Sequence, residues 1–247
     1  MFVRFLSPLV LLALAGCGGG GDGGNTASAP AGSVQAVSAP NGQRWQDVVT
    51  RTPEGGYRMG NPDAAIKLVE YGSRTCPTCG SFAREGFRPL TEKYVDSGKV
   101  SFEFRDFLVH GAPDLAAALT GACGGPGPFF PILEQMYANQ LATLEVLQAT
   151  PPAFQEQLAN QPPTAIVAAW ADRLDYDDFV KQRGVPEAKV RQCLTDENAI
   201  QQATQATEQA TADGSVTGTP TFLINGEVVP NTVSWSQLES ALRARGA

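Results

Sequence analysis

Between residues 66 and 107 the spacing of apolar positions changes twice. Ile66-Lys67-Leu68-Val69-Glu70-Tyr71 is a short, largely apolar run closed by Gly72 and Ser73, the pattern of a buried strand. Phe82, Phe87, Leu90 and Tyr94 then recur at helical spacing. With Pro77 at the first helical position, where its missing N–H costs nothing, they predict a helix over 77–96 that ends at Ser97-Gly98. Residues 100–107 alternate apolar and polar side chains and predict a second strand. The three elements form a βαβ unit. Upstream, Trp45, Val48 and Val49 predict a short amphipathic helix, and Tyr57-Arg58-Met59 an edge strand before the Asn61-Pro62 turn.

Residues 113–213 carry helical patterns only, divided by Gly/Pro breakers at 124–128, 151–152, 162–163 and 184–186. The last of these helices is expected to run from Glu187 to about Ala212. Strand signals return at Thr221-Phe222-Leu223-Ile224. Asn225-Gly226 is a strong hairpin signal, and Glu227-Val228-Val229 is the return strand. In the final helix Trp235, Leu238 and Leu242 share one face, and Ser236 with Glu239 reads as a capping box. The chain is therefore an α/β fold of order βαβ, a large helical insertion at about 111–215, then ββα.

The first 44 residues follow none of these patterns. Residues 1–16 hold Arg4 and a short apolar run, too short to span a bilayer, and predict a signal peptide. The ending Leu14-Ala15-Gly16-Cys17 resembles the bacterial lipobox, which implies lipidation of Cys17 and a lipid anchor to a membrane. Residues 17–44 would then be the lipidated cysteine and a Gly/Ala/Ser/Pro tether, with a globular domain over 45–247. Of 247 residues, 43% are hydrophobic and 17% charged, enough for one sizeable core. The net charge of −7, without a basic run, excludes nucleic acid as an expected partner. Five cysteines is an odd count; using Cys17 for lipid leaves four, an even number for an oxidising compartment.

Two of those four stand one helical turn apart in Thr75-Cys76-Pro77-Thr78-Cys79, at the strand-to-helix junction. A helix N-terminus offers free N–H donors and partial positive charge, which stabilise a thiolate. Cys76 is expected exposed at the helix tip, with Cys79 tucked behind it at disulfide reach. A structural zinc site needs four ligands, and there is no second CxxC and one histidine, His110, so no metal is assigned. His110 is expected in an exposed loop or a cap, without a catalytic role. Cys123 and Cys193, in the first and last insertion helices, read as a structural disulfide; a second redox couple is the other reading.

The CxxC opening the first helix, Gly218-Thr219-Pro220-Thr221-Phe222 opening the hairpin, and the helical insertion together resemble the thioredoxin fold in its DsbA-like branch, over residues 45–247. The resemblance implies a periplasmic thiol–disulfide oxidoreductase that needs no bound cofactor. It implies Cys76 as nucleophile, Cys79 as buried partner and Pro220 as a cis-proline beside the disulfide. It also implies backbone groups of Thr219 offered to an extended substrate, with Pro77 and Thr78 in the same contact surface, and Glu70 as the buried acid that moves protons for the inner cysteine. The implied partners are reduced exported proteins as substrates and a quinone-linked membrane thiol oxidase for recharging, with the enzyme a monomer. The Pro-Thr dipeptide between the cysteines lacks the histidine of strongly oxidising relatives, so a milder oxidant is expected. An isomerase or reductase using the same site, and a polypeptide-binding lipoprotein without catalysis, are the competing readings.

Overall fold

The computed structural model describes residues 32–247; the expected signal peptide, Cys17 and most of the Gly-rich run lie outside the described residues. Six strands form one sheet in the order β1-β2-β4-β3-β5-β6, comprising β1 (Val49–Arg51), β2 (Tyr57–Met59), β3 (Ile66–Gly72), β4 (Val100–Asp106), β5 (Thr221–Ile224) and β6 (Glu227–Val228). Central β3 pairs in parallel with β4, from Ile66↔Val100 to Gly72↔Asp106, and antiparallel with β5, where Glu70 faces Phe222. Helix α1 (Pro77–Pro89) crosses between β3 and β4, and α10 (Trp235–Ala244) follows the hairpin. This is the expected thioredoxin-like α/β architecture. Asn225 and Gly226, both at positive φ, make the tight turn between β5 and β6.

Several boundaries differ from the pattern, each for a local reason. The amphipathic segment at Trp45 makes one 3₁₀ turn, Trp45–Asp47, and then enters the sheet as β1. Pro89 has no N–H to donate within the first long helix, and beyond it the chain widens into a π-helical turn over Leu90–Val95. The expected 187–212 helix is two, α8 (Glu187–Leu194) and α9 (Glu197–Ala212). Asp196 starts the second by accepting from Ala199 N at 3.0 Å. The capping box of α10 is Ser234 with Gln237, whereas Glu239 instead accepts from the Tyr94 hydroxyl at 2.9 Å. Residues 34–44, expected as tether, lie against the body. Val34 N donates to Gly246 O and Val37 N to Ser97 O, each at 2.9 Å, and Trp45 Nε1 donates to Val37 O at 2.6 Å.

The insertion consists of α2 (Ala112–Ala122), α3 (Pro126–Ala138), α4 (Gln140–Ala149), α5 (Pro152–Leu158), α6 (Pro163–Arg173), α7 (Tyr176–Lys181), α8 and α9. Helices α3, α5 and α6 begin with proline, so the breakers in the sequence are starts as much as stops. Helix α3 joins two cores through opposite faces. Phe129, Phe130, Leu133 and Tyr137 pack into the sheet core with Phe82, Phe102, Phe104 and Phe222. Ile132 and Met136 pack with Leu115, Val167, Trp170 and Val180 in the helical core. Each such side chain, fully buried, contributes about 1.5–3 kcal/mol, so the shared helix ties the insertion firmly to the sheet.

Candidate active site

Strand β3 delivers the chain to the end of the sheet, and Ser73-Arg74-Thr75 turn it into α1. Cys76 is the N-cap and Pro77 the first helical residue. The loop is fixed by groups from β4 and from the insertion. Arg74 is buried and forms a two-pronged ion pair with Asp106 of β4, Nε–Oδ1 2.8 Å and Nη2–Oδ2 3.1 Å, with its guanidinium over the Phe129 ring. Asp114 in the first turn of α2 is buried and accepts from Ser73 Oγ, Thr75 N, Thr75 Oγ1 and His110 N. Gln140, first residue of α4, donates its Nε2 hydrogens to Arg74 O at 3.0 Å and Cys76 O at 2.8 Å. That approach requires Gly80: a Cβ there would overlap Gln140 Oε1.

Cys76 and Cys79 are both free thiols. Cys76 is less open than expected of a helix tip, with 8% of its surface accessible against 0% for Cys79, because the Thr219-Pro220 loop covers it. The Thr219–Pro220 peptide is cis, and Cys76 Sγ donates to Thr219 O at 3.3 Å. The two thiols are driven apart in acidity. A hydrogen bond from Cys79 is the main influence lowering Cys76 to about 5, against the opposing cost of burial. Thr219 and the backbone N–H groups of Cys79 and Thr78 lower it further. Burial pushes Cys79 well above an ordinary thiol, and its bond to Cys76 and the charge of Glu70 add to this.

Glu70 is buried in β3, with Oε1 unpaired among the described residues. Burial first, then the charge on Cys76, raises its carboxyl to about 8, so it is protonated at neutral pH. Thus Cys76, Cys79, Glu70, Thr219 and Pro220 converge on one site, with Pro77 and Thr78 on the helix turn beside it. Cys123, the C-cap of α2, is disulfide-bonded to Cys193 of α8, with Cα atoms 5.9 Å apart. His110 lies in the exposed loop, but its ring nitrogen Nδ1 stands 2.6 Å from Thr75 Oγ1. That contact, Asp114, Gln140 and Arg74 are parts of the site absent from the sequence expectation. Asp114 and Gln140 come from the insertion, His110 from the loop after β4 and Arg74 from the turn itself, and no local motif marks them.

A family model described as thioredoxin matches residues 52–244. The crystal structure of a protein-disulfide isomerase from Novosphingobium aromaticivorans superposes with a TM-score of 0.72 and 30% identity, covering 76% of this chain and 95% of that one. Disulfide bond formation protein D of Bacillus subtilis is 21% identical over 205 residues, 81% of this chain and 82% of the relative. A Rickettsia bellii relative, provisionally named a protein-disulfide oxidoreductase, is 26% identical over 184 residues. That match takes in 74% of this chain but only 62% of the relative's length.

Proposed function

We propose, from the premise that this chain belongs to the thioredoxin family, that it is a protein thiol–disulfide oxidoreductase donating its Cys76–Cys79 disulfide to exported proteins. The observation that carries this is the opposed acidity of the pair, Cys76 lowered to about 5 and Cys79 raised. A thiolate stabilised at Cys76 stabilises the reduced enzyme relative to the disulfide, which makes the disulfide an oxidant. In the oxidising cycle a substrate thiolate attacks Cys76 Sγ; the Cys76–Cys79 bond breaks and Cys79 leaves as a thiolate. Protonated Glu70, buried beside it, gives that sulfur a proton. A second substrate thiolate attacks the substrate sulfur of the mixed disulfide. Cys76 leaves as a stable thiolate, the substrate disulfide is formed, and the enzyme pair carries the two electrons. No bound cofactor takes part.

Thr219 O stands beside Cys76 Sγ, and this backbone, with Pro77 and Thr78, is where an extended substrate would lie. The lipobox-like Cys17 supports a lipid-anchored, periplasmic location; the oxidising cycle requires an acceptor for its two electrons, and the family resemblance points to a quinone-linked membrane thiol oxidase, with the enzyme a monomer. Among the described residues no helix is long and apolar enough to cross a membrane. The isomerase name of the Novosphingobium structure favours a second reading, isomerase or reductase, with the same residues.

The test is the reduction potential of the Cys76–Cys79 couple, with Cys123–Cys193 followed separately by mass spectrometry. A value between about −120 and −180 mV is expected and marks a disulfide donor; one near −270 mV would mean a reductase or isomerase. Alkylation of Cys76 in the reduced enzyme should titrate with a midpoint near pH 5. Cys79→Ala, which removes the bonded thiol, should move that midpoint up by about one unit or more.

A further inference from the structure

We propose that His110 is a positioning residue of the redox site, held as an Nδ1–H donor that locks Thr75, the residue preceding Cys76. The assignment follows from counting hydrogens. Asp114 is acceptor to four bonds and donor to none: Oδ1 takes Ser73 Oγ at 2.8 Å, Thr75 N at 3.2 Å and Thr75 Oγ1 at 2.8 Å, and Oδ2 takes His110 N at 2.8 Å. Burial raises the Asp114 carboxyl, but the bonds it receives from His110 N, Thr75 and Ser73 oppose that, and with four donors on it we take it as the carboxylate, which can only accept. The single hydroxyl hydrogen of Thr75 therefore goes to Asp114. The contact of 2.6 Å between Thr75 Oγ1 and His110 Nδ1 then needs its hydrogen on the ring. Nδ1 is the protonated nitrogen in the neutral ring as well as in the imidazolium.

The result is a residue pinned from three sides. Thr75 has its N–H and hydroxyl on Asp114 and its oxygen against His110 Nδ1, while Cys76 N donates to Ser73 O at 3.2 Å. This fixes the turn that places Cys76 as the N-cap of α1, where the helix N–H groups reach its sulfur. The ring's other nitrogen has no protein partner among the described residues. His110 also lines a cavity of about 490 Å³ with Pro113, Leu147, Leu158, Ile166 and Trp170. Asp114 Oδ2 stands 3.7 Å from the ring nitrogen Nδ1, and the cavity walls are apolar apart from Gln155. His110 thus stands at the rim of the site with one nitrogen committed to the scaffold and the other open.

The role rests on the reactivity of Cys76 proposed above, so two readouts separate the two ideas. The chain has one histidine, so long-range ¹H–¹⁵N correlation on untagged, reduced protein reports a single imidazole, expected in the Nδ1–H form when neutral. Iodoacetamide alkylation of Cys76 at pH 7 should slow by roughly tenfold in His110→Ala, which leaves the Thr75 oxygen without its donor. His110→Asn, which keeps an N–H donor, should recover most of the rate. Melting temperatures of both variants control for folding. An Nε2–H tautomer, a wild-type rate in His110→Ala, or an Asn variant no faster than the Ala variant would overturn the proposal. Wild-type Cys76 inert to iodoacetamide would instead overturn the thiol–disulfide reading, and the tautomer would still decide the placement of His110.

Discussion

Glu70 illustrates how a single side chain carries both a cost and a use. Its folded pKa, about 8, lies above the ordinary carboxyl value of 4.5. Between those values the folded protein binds a proton that the unfolded chain releases, so stability is full below about pH 4.5 and falls as pH rises through 8. Glu70→Gln removes this loss. In urea titrations the variant should gain on the wild type as pH rises from 5 to 9, by an amount on the order of 1–3 kcal/mol. Stopped-flow measurement of mixed-disulfide formation should show the step that expels Cys79 slowed about tenfold or more, because no proton is delivered. Equal pH dependence in the two proteins would remove Glu70 from the proton path. The sequence marks this residue through its apolar neighbours Val69 and Tyr71, which place an acid within a strand reading as buried. It does not mark Gln140 or Asp114, whose polar side chains are ordinary in a helix until the chain folds back onto residues 73–76.

At the level of elements, the redox helix is gripped at its start by another helix. Alanine is normally favoured over glycine inside a helix by roughly 1 kcal/mol. At Gly80 the sign should reverse, because a methyl group displaces Gln140 from the carbonyls of Arg74 and Cys76. Gly80→Ala should lower stability by about 1–3 kcal/mol, and the double variant Gly80→Ala/Gln140→Ala should be less damaged than the sum of its parts in a thermal-melt cycle. The elements themselves were largely legible: strands by an apolar run or by alternation, helices by their spacing between Gly/Pro breakers, the hairpin by Asn-Gly. The misreadings share one cause. Pro89 in the first helix and Asp196 in the last carry local signals that a long apolar periodicity overrides on paper. Trp45 to Val49 has helical spacing, yet its backbone is captured by β2, a partner the local pattern cannot show.

For the whole molecule, two cores share α3, and the Cys123–Cys193 bond closes the helical one across 70 residues. On the chain-entropy account a loop of that length contributes about 4 kcal/mol. Cys123→Ala/Cys193→Ala should therefore lower the denaturation midpoint markedly while Cys76 alkylation keeps its pH profile. A shift of that profile would assign the pair a redox role instead of a staple. The fold class and the CxxC were readable because both rest on local patterns, the elements in a fixed order and the two cysteines one helical turn apart. The pocket around Cys76 is built from contacts 30 to more than 140 residues apart, Arg74 to Asp106, Cys76 to Gln140 and Cys76 to Thr219, and those distances are invisible to any window.

The way the chain enters the body sets which way the protein looks. Val37 is bound to Ser97, just ahead of the first residues of parallel strand β4, whereas Cys76 follows the last residues of β3. Seven residues of strand, about 23 Å, separate the two poles. Val34 and Val37 therefore lie at the pole away from the reactive sulfur. With Cys17 as the proposed anchor, the attachment would join the folded body on the side opposite its reactive sulfur, so the anchor would leave the approach to Cys76 unobstructed.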